Sequence, residues 1–252
     1  MIVRVLTGCA LCLLFVLCWP CAAHAAYFNR QTYYGTGGGG PIGDGSLSMS
    51  NNAATVYAGF NKGTGSFSDN LVMFIDCAPG GFTTTSGFTN KNNALETAIS
   101  GYKTSRSVAN FAPGFEADYA IVVGINSGSG IYKLVNDGSG PNLQLVQSIN
   151  LMPAGSPNYP QYYWQFDWAA LGLSNGNTNF FKFETTLVTA TGSRALQSFE
   201  GITGTGGFGT INFTNYDTYG VQPIPENAAG GLALFSGIAA TIVLVRRLRP
   251  RR

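Results

Sequence analysis

Between residues 54 and 213 the chain is a succession of short apolar or alternating runs. They occupy residues 54–60, 71–77, 117–125, 131–135, 143–149, 162–168, 180–188, 195–202 and 210–213. Val, Ile, Phe, Tyr and Thr dominate them, and such branched and aromatic side chains suit a pleated, half-buried surface. Gly, Asn, Ser, Asp or Pro stands between most of the runs, as in Asn136-Asp137-Gly138, and these residues favour turns. Only 91–100 and a turn at 169–173 read as helical. The pattern predicts an all-β ectodomain over 51–220, a β-sandwich of jelly-roll type. No fixed period recurs, which argues against a propeller or solenoid. Residues 26–50 hold the Gly-rich stretch 35–45 with Pro41 and read as a flexible leader. The G-x-G pattern there follows no apolar strand and opens no helix, so it marks no nucleotide site.

The two ends differ from this body. Arg4 precedes an apolar stretch over 5–19, and small residues follow at 22–26. That order predicts a signal peptide over 1–25. Ala23 and Ala25 satisfy the A-x-A cleavage rule, with a cut after Ala25 or, one residue on, after Ala26. The alternative is a permanent anchor, which the short run disfavours. Cleavage would remove Cys9, Cys12, Cys18, Cys21 and His24. Cys77 would then be the sole cysteine, with no histidine beside it. Such a chain forms no internal disulfide, His-dependent triad, His-ligated zinc site or thiolate cluster.

At the other end, a Pro-containing stretch over 221–227 leads into 18 residues without a charge, 228–245. Five arginines close the chain: Arg246, Arg247, Arg249, Arg251 and Arg252. As a helix the apolar run is about 27 Å long, enough to span a hydrocarbon core. The arginines would stay on the cytoplasmic side, with the body outside. Between residues 26 and 224 there are eight Lys/Arg against eleven Asp/Glu, so the body has no footprint for nucleic acid.

Pro225-Glu226, the apolar segment and the terminal arginines together resemble the PEP-CTERM sorting signal; Asn227 stands where that family usually has a third-position Pro. The resemblance covers about the last 30 residues. It implies recognition by an exosortase, a membrane-embedded protease or transpeptidase, in bacteria that make extracellular polysaccharide. A second, shorter resemblance lies in the body. Strands at 69–76 and 116–123, then Phe166-Asp167-Trp168-Ala169-Ala170-Leu171-Gly172, are similar in order to sandwich domains of the family 9 carbohydrate-binding modules. No binding residue is carried over from it.

The densest aromatic cluster is Tyr162, Tyr163, Trp164, Phe166 and Trp168. On a strand, Trp164, Phe166 and Trp168 share one face while Tyr163, Gln165 and Asp167 take the other. The Trp face is expected to pack between sheets. If a glycan is bound, Tyr162, Tyr163, Trp164 and Trp168 are the candidate contacts. Asp69, Asp76, Glu116, Asp118 and Asp137 could offer oxygens to calcium, but none has EF-hand spacing. No metal or other cofactor is expected. For catalysis, only a carboxylate pair drawn from Glu116, Asp118, Asp167, Glu184 and Glu200 is chemically available.

Three function classes follow, in order of preference. The first is a non-catalytic protein of the cell surface or extracellular matrix, held in the membrane by its C-terminal helix before processing. The second is a carbohydrate-binding module at the same address, with extracellular polysaccharide as partner. The third is a glycan-acting enzyme.

Overall fold

The computed structural model describes residues 30–174 and 178–220. Its elements in order are β1 (Gln31–Tyr34), a helical turn α1 (Gly40–Gly43), β2 (Ser46–Asn51), β3 (Thr55–Asn61), β4 (Asn70–Asp76), helix α2 (Ala94–Ser100), β5 (Val108–Asn110), β6 (Tyr119–Gly124), β7 (Gly128–Asn136) and β8 (Pro141–Ser148). Then follow β9 (Gln161–Asp167), a 3-10 turn (Trp168–Leu171), β10 (Phe180–Val188), β11 (Ile202–Gly204), β12 (Thr210–Phe213) and β13 (Asp217–Gly220). The chain is all-β. One sheet has the order β1-β2-β3-β9 and a larger one β13-β10-β4-β6-β7-β8, all pairs antiparallel. A small third sheet, β11-β12-β5, contains the parallel pair β12–β5.

The two larger sheets face each other in a sandwich-like arrangement. Met49, Val56, Phe60, Trp164 and Phe166 from the first meet Leu71, Met73, Ile75, Ile121, Phe181 and Phe183 from the second in one buried cluster. A second cluster lies on the far side of the larger sheet. There Val72, Phe74, Ala120, Val122 and Tyr132 are covered by Ala98 and Ile99 of α2, by Phe88, Phe111 and Phe115 of the loops, and by Ile211 and Phe213. The central strands β4 and β6 are therefore buried along their whole length. A strand covered on both faces needs no polar alternation.

Helix α2 starts where its caps require. The Asn93 side chain accepts from the Glu96 amide at 2.9 Å, and the Glu96 carboxylate accepts from the Asn92 amide at 3.0 Å. This reciprocal cap satisfies donors that the first turn leaves unpaired. Helicity thus begins at Ala94, inside the predicted 91–100.

Two expectations change. The segment predicted as a leader is structured from Gln31 onward: β1 pairs with β2, and β2 with β3. Four of the six residues of its Ser-Leu-Ser-Met-Ser-Asn run are polar, yet Leu47 and Met49 alternate into the core and Ile42 of α1 is buried. The apolar run at 195–202 yields only the start of β11. Its backbone instead lies beside β10, where the Ala195 amide donates to the Leu187 carbonyl at 2.8 Å and the Thr186 hydroxyl to the Ala195 carbonyl at 3.0 Å.

The signal-peptide residues Ala23 and Ala25, the motif Pro225, Glu226 and Asn227, the apolar segment 228–245 and the arginines at 246–252 lie outside the described residues. Among the described residues no helix is long and apolar enough to cross a membrane.

Candidate functional site

Strand β9 sorts the aromatic candidates. Its side chains alternate between exposed and buried along all seven positions. Tyr162 and Trp164 point inward with Phe166, and Trp168 follows them into the core at 1% exposure. Trp168 stacks on Tyr219 with ring centroids 6.1 Å apart, and the Tyr162 hydroxyl donates to the Ser156 carbonyl at 2.8 Å. These three rings hold the two sheets together and present no face to solvent. Tyr162 shares parity with Trp164, so its burial follows from the same period that hides the tryptophan. Of the four glycan candidates, only Tyr163 is exposed, at 47%.

Tyr163 has a companion that the aromatic cluster did not reveal. In β3, Val56, Ala58 and Phe60 are buried, while Tyr57 is 40% exposed on the opposite face. The register sets Gly59 opposite Tyr163, and Tyr57 opposite Gln165. Tyr57 and Tyr163 are thus diagonal neighbours on the outer face of the four-stranded sheet. Gly59 makes this geometry possible. A Cβ there would stand 3.2 Å from Cδ1 and Cε1 of Tyr163, so the ring lies down over the glycine backbone.

Both hydroxyls are anchored. The Asn52 side-chain amide donates to the Tyr57 hydroxyl at 3.0 Å, and the Tyr163 hydroxyl donates to Gln161 Oε1. Around the rings the face carries hydroxyls and amides. Thr32 and Ser48 share a hydrogen bond of 3.0 Å, and Asn61 Nδ2 donates to Ser46 Oγ at 3.1 Å. Two shallow hollows flank the tyrosines. One, of about 420 Å³, is bounded by Gln147, Ser148, Asn150, Met152 and Gln165. The other, of about 450 Å³, is bounded by Arg30, Ser48, Ser50 and Gly59. Tyr57 and Tyr163 line both.

A larger cleft, of about 820 Å³, opens near the C-terminal end of β4 and the N-terminal end of β10. Phe111, Pro113, Phe115 and Phe180 make its apolar wall. Two of its charges pair with each other: Lys182 Nζ lies 2.8 Å from Asp76 Oδ2 and donates to the Gly114 carbonyl at 2.7 Å, with the Tyr216 ring 5.0 Å away. Cys77 lines the same cleft. Burial, helped by the nearby Asp118 and Asp76 carboxylates, pushes its thiol up to about 12, so it stays protonated and is a poor nucleophile.

The five acids considered for glycoside cleavage sit in different surroundings. Glu184 and Glu200 are shut inside. Burial pushes them up to about 9 and about 8 respectively, so each is a neutral acid at neutral pH. Asp118 Oδ2 accepts from the Cys77 and Ala78 amides at 2.9 and 2.8 Å, pegging the loop after β4. Asp167 is exposed and accepts from the Thr55 hydroxyl at 3.3 Å, while Glu116 sits at the rim of the cleft. Of the calcium candidates, Asp137 lies in an exposed turn. There the Ser139 hydroxyl, the Asn142 side chain and the Ser139 amide hold its carboxylate down to about 2. Among the described residues no three His, Cys, Asp or Glu side chains are grouped to hold a metal ion.

No family model matches the chain, and no curated protein matches it either.

Proposed function

We propose that this chain is an exported, non-catalytic protein of the cell surface or extracellular matrix, carried there by a PEP-CTERM-like tail that an exosortase processes. The observation that carries the reading is the order of the last 30 or so residues: Pro225-Glu226, an 18-residue uncharged stretch, then five arginines within the last seven positions. A core helix needs no terminal block of cations, whereas a membrane segment with its arginines in the cytoplasm does. Among the described residues the last strand, β13, ends at Gly220, ahead of this segment. A body that folds upstream of the tail can sit outside while the tail stays in the bilayer. In this reading the signal peptide over 1–25 directs export and the body is a sandwich wound in jelly-roll-like fashion. The C-terminal helix anchors the chain before release or transfer.

Mass spectrometry of the C terminus of protein recovered from its native cells tests this. Peptides ending near Pro225 or Glu226, with the arginine tail gone, are expected. A chain that still ends at Arg252 in the membrane fraction would overturn the processing and leave a plain single-span anchor.

A further inference from the structure

We infer that the outer face of the four-stranded sheet is a binding platform for an uncharged polysaccharide, with Tyr57 and Tyr163 as its stacking rings. The inference concerns the folded body alone and does not depend on how the tail is processed.

The face combines two features that a sugar chain needs together. A pyranose presents C–H groups on its faces and hydroxyls around its edge, so a complementary surface offers flat aromatic rings bordered by hydrogen-bonding groups. Tyr57 and Tyr163 supply the rings, at 40% and 47% exposure. Gln147, Asn150, Gln165 and Ser50 supply amides and a hydroxyl in the hollows on either side. The rings are preorganised. Tyr163 lies over Gly59 with its hydroxyl bound to Gln161, and Tyr57 is held by Asn52. A ligand then has little side-chain entropy to remove on binding.

Charge selects among ligands. Among the described residues, Arg30 is the one charged residue lining the two hollows. An acidic polysaccharide or a nucleic acid would meet too few cations to neutralise its own charges. Tyr163 lies on the edge strand β9, but its amide and carbonyl already pair with Met152 at 2.6 and 2.8 Å, so an extended peptide finds no free backbone there to add a strand.

Full-length chain in mild detergent is run through native gels cast with hydroxyethylcellulose, with galactomannan, or with alginate as an anionic control. Retardation is expected in at least one of the two neutral gels and not with alginate. Tyr57→Ala and Tyr163→Leu should each weaken retention about fivefold, since a stacked ring contributes on the order of 1 kcal/mol. Leucine is chosen at 163 because it still covers Gly59, and far-UV circular dichroism with a melting curve verifies the fold of each variant. Three outcomes would overturn the site: no retardation in either neutral gel, retardation by alginate alone, or retention unchanged in the folded double variant. A dimer in solution that the double variant abolishes would assign the face to a second copy of the chain and overturn it too. The tail result is independent. A trimmed C terminus with no retardation sinks only the platform, and retardation with an intact Arg252 sinks only the processing.

Discussion

The carboxylate of Glu200 accepts two hydrogen bonds from Thr185, one from its backbone amide and one from its hydroxyl, both at 2.8 Å. Thr185 lies on β10 just beyond Phe183, where pairing with β13 stops. A side chain thus replaces the missing strand, and an edge amide that would be buried without a partner is satisfied. The Ser198 hydroxyl donates to the same oxygen, while Oε1 has no hydrogen-bond partner among the described residues. One strand-position away, Glu184 accepts from the Ala112 amide at 3.0 Å on the other side of the sheet.

This pair makes stability depend on pH. Burial raises Glu200 to about 8, against the pull of Ser198 and Thr185, and Glu184 to about 9. The folded chain therefore keeps two protons that the unfolded chain releases near pH 4.5. A folded pKa above the unfolded one gives stability that is complete in acid and is lost as pH rises through the folded pKa. The melting temperature is expected to fall between about pH 5 and pH 9, and the double variant Glu184→Gln, Glu200→Gln should flatten that fall. A wild-type melting temperature that stays level over this range would refute the assignment.

Helix α2 ends on Gly101, whose φ is +66°. A Cβ there would stand 2.3 Å from the Ser107 carbonyl oxygen and 3.1 Å from Nη2 of the buried Arg194. Gly128 opens β7 with φ +81° and would meet nothing within 4 Å. Gly128→Ala should cost about 1–2 kcal/mol, the left-handed backbone strain alone. Gly101→Ala adds a backbone clash and should cost about 3 kcal/mol or more. Urea denaturation of both variants separates the two terms, and equal losses would show that the clash relaxes freely.

The Cys77 thiol is half-buried and donates to the Leu171 carbonyl at 3.4 Å. Raising it from 9.0 to about 12 cuts the thiolate fraction about a thousandfold, and the greater basicity of the remaining thiolate restores part of the rate. Alkylation by iodoacetamide at pH 8 is expected to run roughly thirtyfold slower or more in the native state than in urea, read by peptide mapping of the Cys77 segment. Comparable rates in both states would mean that the cleft leaves the sulfur free.

Much of the body was legible in the chain because strand periodicity is local. The period of two in 162–168 assigns Trp164 and Phe166 inward and Tyr163 outward without any knowledge of the partner strands, and the structure agrees. The runs that became β3, β4, β6, β7, β8, β9, β10 and β12 were visible for the same reason. Strands β1, β2 and β13 were not, because their sequences are short or largely polar. What makes them strands is pairing with distant segments, such as Phe181 with Tyr219.

The candidate site shows the same division. That Tyr57 and Tyr163 each face outward follows from alternation alone. That they lie side by side depends on β3 pairing with β9, two segments about a hundred residues apart, and on a glycine that lets one ring lie flat. Which residues seek the core and which seek water can be read along the chain, since that choice is made residue by residue through hydration. Which water-facing residues meet, and which acids lose their charge, depends on neighbours and burial, and these exist only in the assembled sheets.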